Sequence, residues 1–360
     1  MKRILLFSQA DADFQTRHCI EQLAAGLGNT HSVQRLTVGP GGDCRHLPAA
    51  AWRLMHTDAD LIHAWGDRCL RVAGFAHKPV LFTPAPLPTS AAAKWLCSAR
   101  THLPARAVCL CGEDHRYLIE QGVPAELCDL VRAGVKLGQQ LTPDTTLRLQ
   151  LGAAPTDCLI LLAGDVEPWI DHHLAVLATA ILHYLDSRYR LLITGGGRNA
   201  QCLLNLAARA APTLVINAAE RLGHPVELPQ LIPAANLAIC PAPNGVPPLP
   251  ILACMAGGLP LVGLATRATS ELIEDHHTAL LAPAKFKKLA QRLLQLAEDP
   301  ALAHRLADEA RAEAYKLFPV SRFLSEMRIV YDKTVSTPTK ERRGVSPPVS
   351  PPNAPLPRRC

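Results

Sequence analysis

The sequence predicts an α/β protein built of two doubly wound, parallel-sheet domains. Its 360 residues exceed the usual size of one domain. Short apolar runs alternate with helix-length amphipathic segments, which is typical of parallel strands covered by helices. The alternation pauses in a polar stretch at 137–157 and then restarts. Two Rossmann-like domains of this kind face each other across a cleft and bind ligands at the carboxyl ends of their strands.

Six apolar runs in the first half are predicted strands. They are Ile4–Phe7, Val33–Val38, Asp60–Ala64, Pro79–Thr83, Ala107–Cys111 and Cys128–Arg132. Helical patterns lie between them, notably at Asp13–Leu27 and Asp114–Gln121.

The second half is predicted to contain six more strands and several long helices. The strands are Cys158–Ala163, Tyr189–Thr194, Thr213–Ile216, Leu237–Cys240, Leu259–Gly263 and Ala279–Leu281. The helices include Asp171–Leu185, Asn199–Ala210, Lys285–Glu298 and Pro300–Leu317.

These patterns divide the chain into five parts. We predict a first domain at 1–136, a linker at 137–157 with a short helix at Asp144–Leu151, and a second domain at 158–319. A final helix at 320–333 is expected to cross back to the first domain. Residues 334–360 form a basic, proline-rich tail whose composition predicts disorder.

Composition and charge exclude some classes of function. Hydrophobic residues make up 48% and charged residues 19%, as in ordinary soluble domains. The formal net charge is +6, but the tail holds five basic residues and one acid, so about +2 remains for the folded body. This gives no electrostatic case for nucleic acid. Contact of the tail with a membrane surface or a partner is an alternative that the composition does not support.

Cysteine usage and hydropathy predict a cytoplasmic protein. Most of the twelve cysteines stand singly in apolar runs, as reduced core thiols do. No apolar run approaches the roughly 20 residues that span a bilayer. Residues 1–7 are expected to be the first strand rather than an export signal.

The most informative stretch is 244–262, which predicts a turn, a helix and a strand. Pro247 and Pro248 suit the first turn of a helix, and Gly257–Gly258 would end it. A helix that begins after a glycine turn presents free N–H groups and a positive dipole end, which suits a phosphate.

An ordered set of segments resembles the family-4 glycosyltransferases, which have the GT-B double-Rossmann arrangement. Besides 244–262, the set comprises Asp60–Trp65, Leu118–Ala125, Val131–Val135, Ile193–Gly197, Leu228–Pro241 and Ser270–Glu274. The resemblance implies a retaining transfer from a nucleotide-sugar donor bound mainly by the second domain, with an acceptor on the first. It implies no metal cofactor.

The charged residues of that family's donor site are replaced here. Gly245 and Ala253 stand where two glutamates are expected, and Gly164–Asp165 and Ile170–Asp171 stand where a basic pair is expected. The histidine expected after the Pro79–Thr83 strand is replaced by Pro84–Ala85.

Backbone donors and two arginines remain as candidate donor ligands. Glycine lets the chain approach a ligand closely, and N–H groups of the turn can still donate. Arg198 and Arg267 could supply positive charge, although a solvated surface role is the favoured alternative. The candidate donor-binding residues are Gly195, Gly197, Arg198, Asn244, Gly245, Val246, Arg267 and Glu271.

Two candidates have an equally plain structural interpretation. Glu271 matches a family position but could instead stabilise a helix start. His63 ends a strand near the predicted cleft as an acceptor-side candidate, and a hydrogen-bonded structural histidine is the commoner outcome.

Two hypotheses follow. The chain is an active, divergent nucleotide-sugar glycosyltransferase, or it is an inactive homologue that binds a ligand or a protein partner as a scaffold. An epimerase or phosphorylase would need acid–base or cofactor residues that form no convincing set here. A periplasmic binding protein would need an export signal.

Overall fold

A computed structural model of the chain describes residues 1–28, 30–39, 46–85, 87–99, 103–136, 143–242 and 248–336. It contains two sheets of six parallel strands each, covered by helices. The predicted fold class is therefore confirmed.

The first sheet has the strand order β2-β1-β3-β4-β5-β6. Its strands are β1 (Lys2–Gln9), β2 (His31–Val38), β3 (Leu61–Trp65), β4 (Val80–Thr83), β5 (Ala105–Cys109) and β6 (Cys128–Leu130). Its helices are α1 (Phe14–Leu27), α2 (Leu47–Met55), α3 (Asp67–Ala73), α4 (Ser90–Ala99) and α5 (Gly112–Glu120).

The second sheet has the order β12-β11-β10-β7-β8-β9. Its strands are β7 (Cys158–Leu162), β8 (Tyr189–Ile193), β9 (Val215–Asn217), β10 (Leu237–Cys240), β11 (Leu261–Leu264) and β12 (Leu280–Ala282). The remaining helices are α6 (Thr145–Gln150), α7 (His172–Leu185), α8 (Ala200–Ala210), α9 (Ala218–Leu222), α10 (Leu228–Leu231), α11 (Pro248–Ala256), α12 (Phe286–Glu298), α13 (Pro300–Leu317) and α14 (Val320–Ser336).

Aliphatic side chains form the cores, as the low aromatic content predicts. The central strands are apolar on both faces because helices cover both faces of each sheet. One apolar cluster runs through both domains and includes Leu6 of β1, Leu161 of β7 and Leu252 of α11. The two domains therefore share part of a core.

The strand order reverses beside β1 in the first sheet and beside β7 in the second. Ligands of open parallel sheets bind at such a reversal, outside the carboxyl ends of the strands. The loops after β1 and β7 meet, because the N–H of Phe14 donates to Asp165 at 3.1 Å. The fold thus places both reversals at one interdomain cleft.

Helix α14 packs against the first domain although it follows the second in sequence. It contacts α1, β3, β4 and β5. Phe323, Met327 and Tyr331 on its inner face are fully buried. Val135 and Pro319 form a bridge at the crossing point.

The segment 248–264 has the predicted helix followed by a strand. Helix α11 begins at Pro248 and is followed by Gly258, whose φ of +70° suits glycine. Pro247 lies outside the described residues.

The start of α5 differs from the prediction. The strand before it ends at Cys109 and the helix begins at Gly112, two residues before Asp114. Glu271 of the second domain accepts a hydrogen bond from the N–H of Gly112 at 2.7 Å. This contact stabilises the first turn from outside the local sequence, so local patterns could not reveal it.

Two further features bear on the class of protein. The ten cysteines within the described residues are all free thiols, and most of them are buried. Among the described residues, no helix has both the length and the apolar character that crossing a bilayer requires.

Candidate functional site

A cavity of about 680 Å³ lies between the domains at the carboxyl ends of β1, β7 and β8. The first domain contributes Ala10–Ala12 and Arg17 to its wall. The second domain contributes the glycine turn Thr194–Arg198, two acidic residues after β7, and the segment 223–227. The structure therefore brings Gly195, Gly197 and Arg198 together in one cavity.

The glycines of this turn are required by contacts within the protein. Gly195 and Gly197 have φ values of +90° and +104°. A Cβ on Gly197 would lie 2.4 Å from the carbonyl oxygen of Val166, and one on Gly195 would lie 2.2 Å from Oδ1 of Asn217. The turn therefore packs against the chain after β7 and the end of β9, as well as lining the cavity.

Arg198 reaches the cavity with its charge already partnered. Its Nε donates to Glu167 Oε2 at 3.0 Å, and its guanidinium lies 4.8 Å from the centre of the Trp169 ring. Burial raises the pKa of Glu167, and the hydrogen bond from Arg198 opposes that rise. A phosphate would have to compete with Glu167 for this arginine.

Asp165 joins the two domains at the position where the family resemblance expects a basic residue. Its buried carboxylate accepts hydrogen bonds from the Phe14 N–H at 3.1 Å and from Arg17 at 3.3 Å. The Thr194 hydroxyl donates to its other oxygen at 3.3 Å. Buried carboxylates need such partners, and most of these come from the first domain.

Acidic groups outnumber basic ones around this cavity. Four carboxylates and two guanidinium groups line it: Asp11, Asp165, Glu167, Glu227, Arg17 and Arg198. Arg17 also binds Glu227 across the cleft at 3.0 Å. The cavity in this arrangement is therefore poor in the positive charge that binds a diphosphate.

A smaller cavity of about 110 Å³ adjoins the first one and shares Asp11, Ala12 and Arg198 with it. Trp65, at the end of β3, and Trp169, after β7, line it from opposite domains. Sequence reasoning missed both tryptophans as site residues. The signal that could have found them is their place at or after strand ends in a chain with only four tryptophans.

Glu271 is a cap for a helix of the other domain. It lies in a 3-10 turn, Thr269–Glu271, and accepts from the Gly112 N–H that begins α5. Arg116 of α5 lies 3.8 Å from its other oxygen. The structure thus supports the helix-start alternative, with the capped helix in the first domain.

Arg267 is not brought together with the glycine turn. It lines a separate cavity of about 360 Å³ with Asp114, Arg116, Tyr117 and Thr266. Burial, with smaller contributions from Glu271 and Glu113, raises the pKa of Asp114 to about 7 against a hydrogen bond with Cys111 that lowers it.

His63 does not reach the cleft, so its interpretation as an acceptor-side residue is corrected. It is fully buried between the sheet and α14. Its Nδ1 is 2.9 Å from the Tyr331 hydroxyl and its Nε2 is 2.8 Å from the Thr83 hydroxyl. Burial lowers the pKa of His63 to about 3.

Asn244, Gly245 and Val246 lie outside the described residues. The helix that follows them, α11, is described from Pro248. The N–H of Leu249 in its first turn donates to Gln15 Oε1 of the first domain at 3.2 Å. One backbone donor of this helix start is therefore occupied by the protein itself.

One group of three side chains within the described residues has metal-ligand spacing. Glu274, His277 and Glu313 place one ligand atom each within 4.8 Å of one another. They line none of the cavities described above. The absence of a metal cofactor stays a prediction.

Comparison with known proteins gives one family match and several structural matches. Residues 144–313 match the family model described as Glycosyl transferases group 1. No curated protein sequence matches the chain. The matched residues include the glycine turn and all the residues that the second domain contributes to the wall of the 680 Å³ cavity.

Three solved structures illustrate the structural similarity. HepE (Alr3699) of Anabaena, in complex with UDP and glucose, has a TM-score of 0.75 at 19% identity and covers 92% of this chain and 100% of its own. Sucrose-phosphate synthase of Thermosynechococcus elongatus has a TM-score of 0.72 at 18% identity, and the match covers 92% of this chain and 99% of the synthase. A glycosyltransferase of Rickettsia africae has a TM-score of 0.70 at 13% identity, and the match covers 94% of this chain and 99% of that protein. At these identities the matches show the fold, which is the GT-B arrangement of two Rossmann-like domains.

Proposed function

We propose that the chain is a divergent family-4 glycosyltransferase that binds a nucleotide sugar in the 680 Å³ cavity and transfers the sugar with retention. The observation that carries the proposal is the convergence of the glycine turn Thr194–Arg198 and the loop after β1 on one interdomain cavity. A cavity of this volume is in the range of small-molecule sites.

The comparisons support this proposal. Residues 144–313 match a family of glycosyl transferases, and a solved structure that covers 92% of this chain is in complex with UDP and glucose. We extend donor binding from that relative to this chain because the shared fold covers 92% of this chain.

In the proposed reaction the bond between the anomeric carbon and the diphosphate oxygen breaks. A bond forms on the same face between that carbon and a hydroxyl oxygen of the acceptor, and the hydroxyl proton passes to the departing diphosphate. The developing negative charge on the diphosphate must be stabilised for this step. Arg198, turning from Glu167, is the group we assign to this task.

The second candidate is a catalytically inactive homologue that serves as a binding or scaffold subunit. The specific observation in its favour is the excess of carboxylates around the cavity, with Asp165 bound to the first domain. Loss of one preorganised donor to a developing anion raises the barrier by roughly 3–4 kcal/mol. A donor site that lost its positive charges without replacement would therefore retain little activity.

Calorimetric titration with UDP, GDP, ADP and their sugar conjugates tests the proposal. We expect one nucleotide class to bind with a Kd of about micromolar order, and Arg198→Ala to weaken it about tenfold. Arg188→Ala is the matched control. Arg188 forms an exposed pair with Asp186 just before β8, at the opposite end of that strand from the glycine turn. A folded protein that binds no member of the panel would favour the scaffold candidate.

Product analysis tests retention and the absence of a metal requirement. We expect NMR of the anomeric signal to show the donor configuration in the product, and activity to persist in a chelator. Inversion of configuration would contradict the retaining assignment, and loss of activity restored by a divalent ion would contradict the metal-free one.

A further inference from the structure

Two carboxylates and one imidazole converge on the surface of the second domain, away from the cleft. They belong to Glu274, His277 and Glu313, and one ligand atom of each lies within 4.8 Å of the other two. In the part of the chain that the structure describes, none of these three side chains forms a hydrogen bond or an ion pair. Two carboxylates at this separation repel each other, so the cluster favours a cation as its partner.

The two segments that carry the cluster are held against each other. Glu274 and His277 lie in the turn that leads to β12, and Glu313 lies on α13. The N–H of His277 donates to the carbonyl oxygen of Glu274 at 3.1 Å. Both terminal nitrogens of Arg305, on α13, lie 3.4 Å from the carbonyl oxygen of His276. The three side chains therefore project from backbone that is already positioned, as a metal site requires.

We propose that Glu274, His277 and Glu313 bind one divalent transition-metal ion, with Zn²⁺ as the ion that fits best. Zinc lies about 2.0–2.2 Å from nitrogen and oxygen ligands, so two ligands of a tetrahedral ion are about 3.3–3.6 Å apart. Small rotations about the glutamate side-chain torsions bring the ligand atoms from their present spacing to that distance. The fourth position is left to water.

The proposed ion would be structural and would take no part in the proposed transfer. Its three ligands line none of the cavities at the cleft. It would join α13 to the turn that follows Glu271, the residue that accepts a hydrogen bond from the first domain. The inference therefore stands or falls independently of the proposed function.

Other partners for the cluster fit less well. Ca²⁺ and Mg²⁺ take oxygen ligands and would leave the imidazole of His277 unused, whereas imidazole suits zinc. No lysine or arginine within the described residues forms an ion pair with Glu274 or Glu313. Acidic groups on a surface are common, but here the imidazole and one carboxylate are half-buried, and the ligands come from two elements.

Zinc titration of two matched glutamate variants tests the site. We expect the wild type to bind one Zn²⁺ with a Kd of about micromolar order, and Glu313→Gln to weaken that binding about tenfold or more. Glu309→Gln is the matched control, because it removes the same charge from an exposed position one turn earlier on α13. We expect it to change the affinity by less than about twofold. Equal affinities of the wild type and both variants would overturn the site.

A second matched pair tests the imidazole. His277→Gln should also weaken zinc binding about tenfold or more. His276→Asn is its control, because His276 is exposed, lies outside the cluster and has a φ of +60°, which asparagine tolerates. Zinc bound at other groups, such as the exposed thiol of Cys202, would be common to both variants. Binding of Ca²⁺ as tight as that of Zn²⁺, and unchanged in His277→Gln, would contradict a transition-metal site.

NMR of the histidine rings provides a readout on the wild-type protein. The chain has 15 histidines, and the His277→Gln and His276→Asn spectra assign the ring signals of His277 and His276. We expect one equivalent of Zn²⁺ to shift the His277 signal and to shift that of His276 less. A His277 signal that does not move at saturating zinc would overturn the proposal, even if zinc binds elsewhere on the chain.

Discussion

Among single residues, His63 shows most clearly how burial determines the role of a titratable group. Both ring nitrogens contact hydroxyls, those of Tyr331 and Thr83, and no solvent reaches the ring. The neutral form is therefore favoured in the folded protein, which lowers the pKa of His63 to about 3. The histidine ties α14 to the first sheet and takes no part in the cleft.

The pH dependence of stability should report this histidine. The unfolded chain binds a proton below a pKa of about 6.5, whereas folded His63 binds one only near 3. Its contribution to stability is therefore complete above about pH 6.5 and is lost as the pH falls toward 3, by up to about 1.4 kcal/mol per pH unit. His63→Gln lacks this titration, so its urea midpoint should fall less steeply below neutral pH than that of the wild type.

The remaining titratable groups serve as the internal control for this comparison. Burial lowers the pKa of His18 and His172 as well, and both are present in the wild type and in the variant. Parallel losses of stability in the two proteins between neutral and acidic pH would contradict the assignment to His63.

The site could be predicted from sequence only in part, and Arg198 and Asp165 show why. The glycine turn and the arginine after it are visible in the sequence, and the structure places both in the cleft. The partners of Arg198 and Asp165 come from other loops and from the other domain. Sequence spacing within one element does not encode such contacts, so it could not show that both charges are already bound.

Among the elements, the turn after β8 depends on backbone space at Gly197. A Cβ there would meet Val166 backbone atoms at 2.4 to 2.6 Å, and the φ of +104° is unfavourable for any other residue. Neither strain can be relieved by moving a flexible side chain.

Gly197→Ala should therefore destabilise the protein by about 3 kcal/mol, through positive φ and backbone overlap together. Gly223→Ala is the matched control, because Gly223 also has positive φ but no atom lies within 4 Å of its added Cβ. We expect a cost of about 1 kcal/mol there. Urea denaturation of the two variants measures the difference, and equal costs would contradict the role of the Val166 contact.

Sequence periodicity predicted every strand of the two sheets because buried parallel strands are short continuous apolar runs. The boundary of α5 was missed because Glu271, distant in sequence, caps its first N–H. Local residues set the start of α13, because Asp299 caps it and Pro300 occupies its first position. The sequence pattern therefore predicted this helix with its actual bounds, Pro300–Leu317.

Across the whole molecule, polar contacts hold the two domains in a closed arrangement. Arg17 of α1 binds Asp165 and Glu227, while Gln15 of the same helix binds the start of α11. Elsewhere between the domains, Glu271 of the second domain accepts a hydrogen bond from the Gly112 N–H of the first. The cleft cannot widen without breaking these contacts.

Arg17→Ala should loosen this closure. We expect a larger radius of gyration in solution scattering and a loss of stability of about 1–2 kcal/mol, because Asp165 stays buried without its cation. Arg188→Ala, which removes an exposed intradomain pair, should change neither quantity measurably. A radius of gyration equal to that of the wild type would show that the shared apolar core alone keeps the domains closed.

The crossing of α14 has a consequence for synthesis on the ribosome. The first sheet is complete when residue 130 has been made, but the face that receives Phe323, Met327 and Tyr331 stays uncovered until 320–336 emerge. Residues 131–319 are translated in between, and they include the whole second sheet. The first domain is thus begun first and finished last, and its exposed apolar face is the surface on which a nascent-chain chaperone would act.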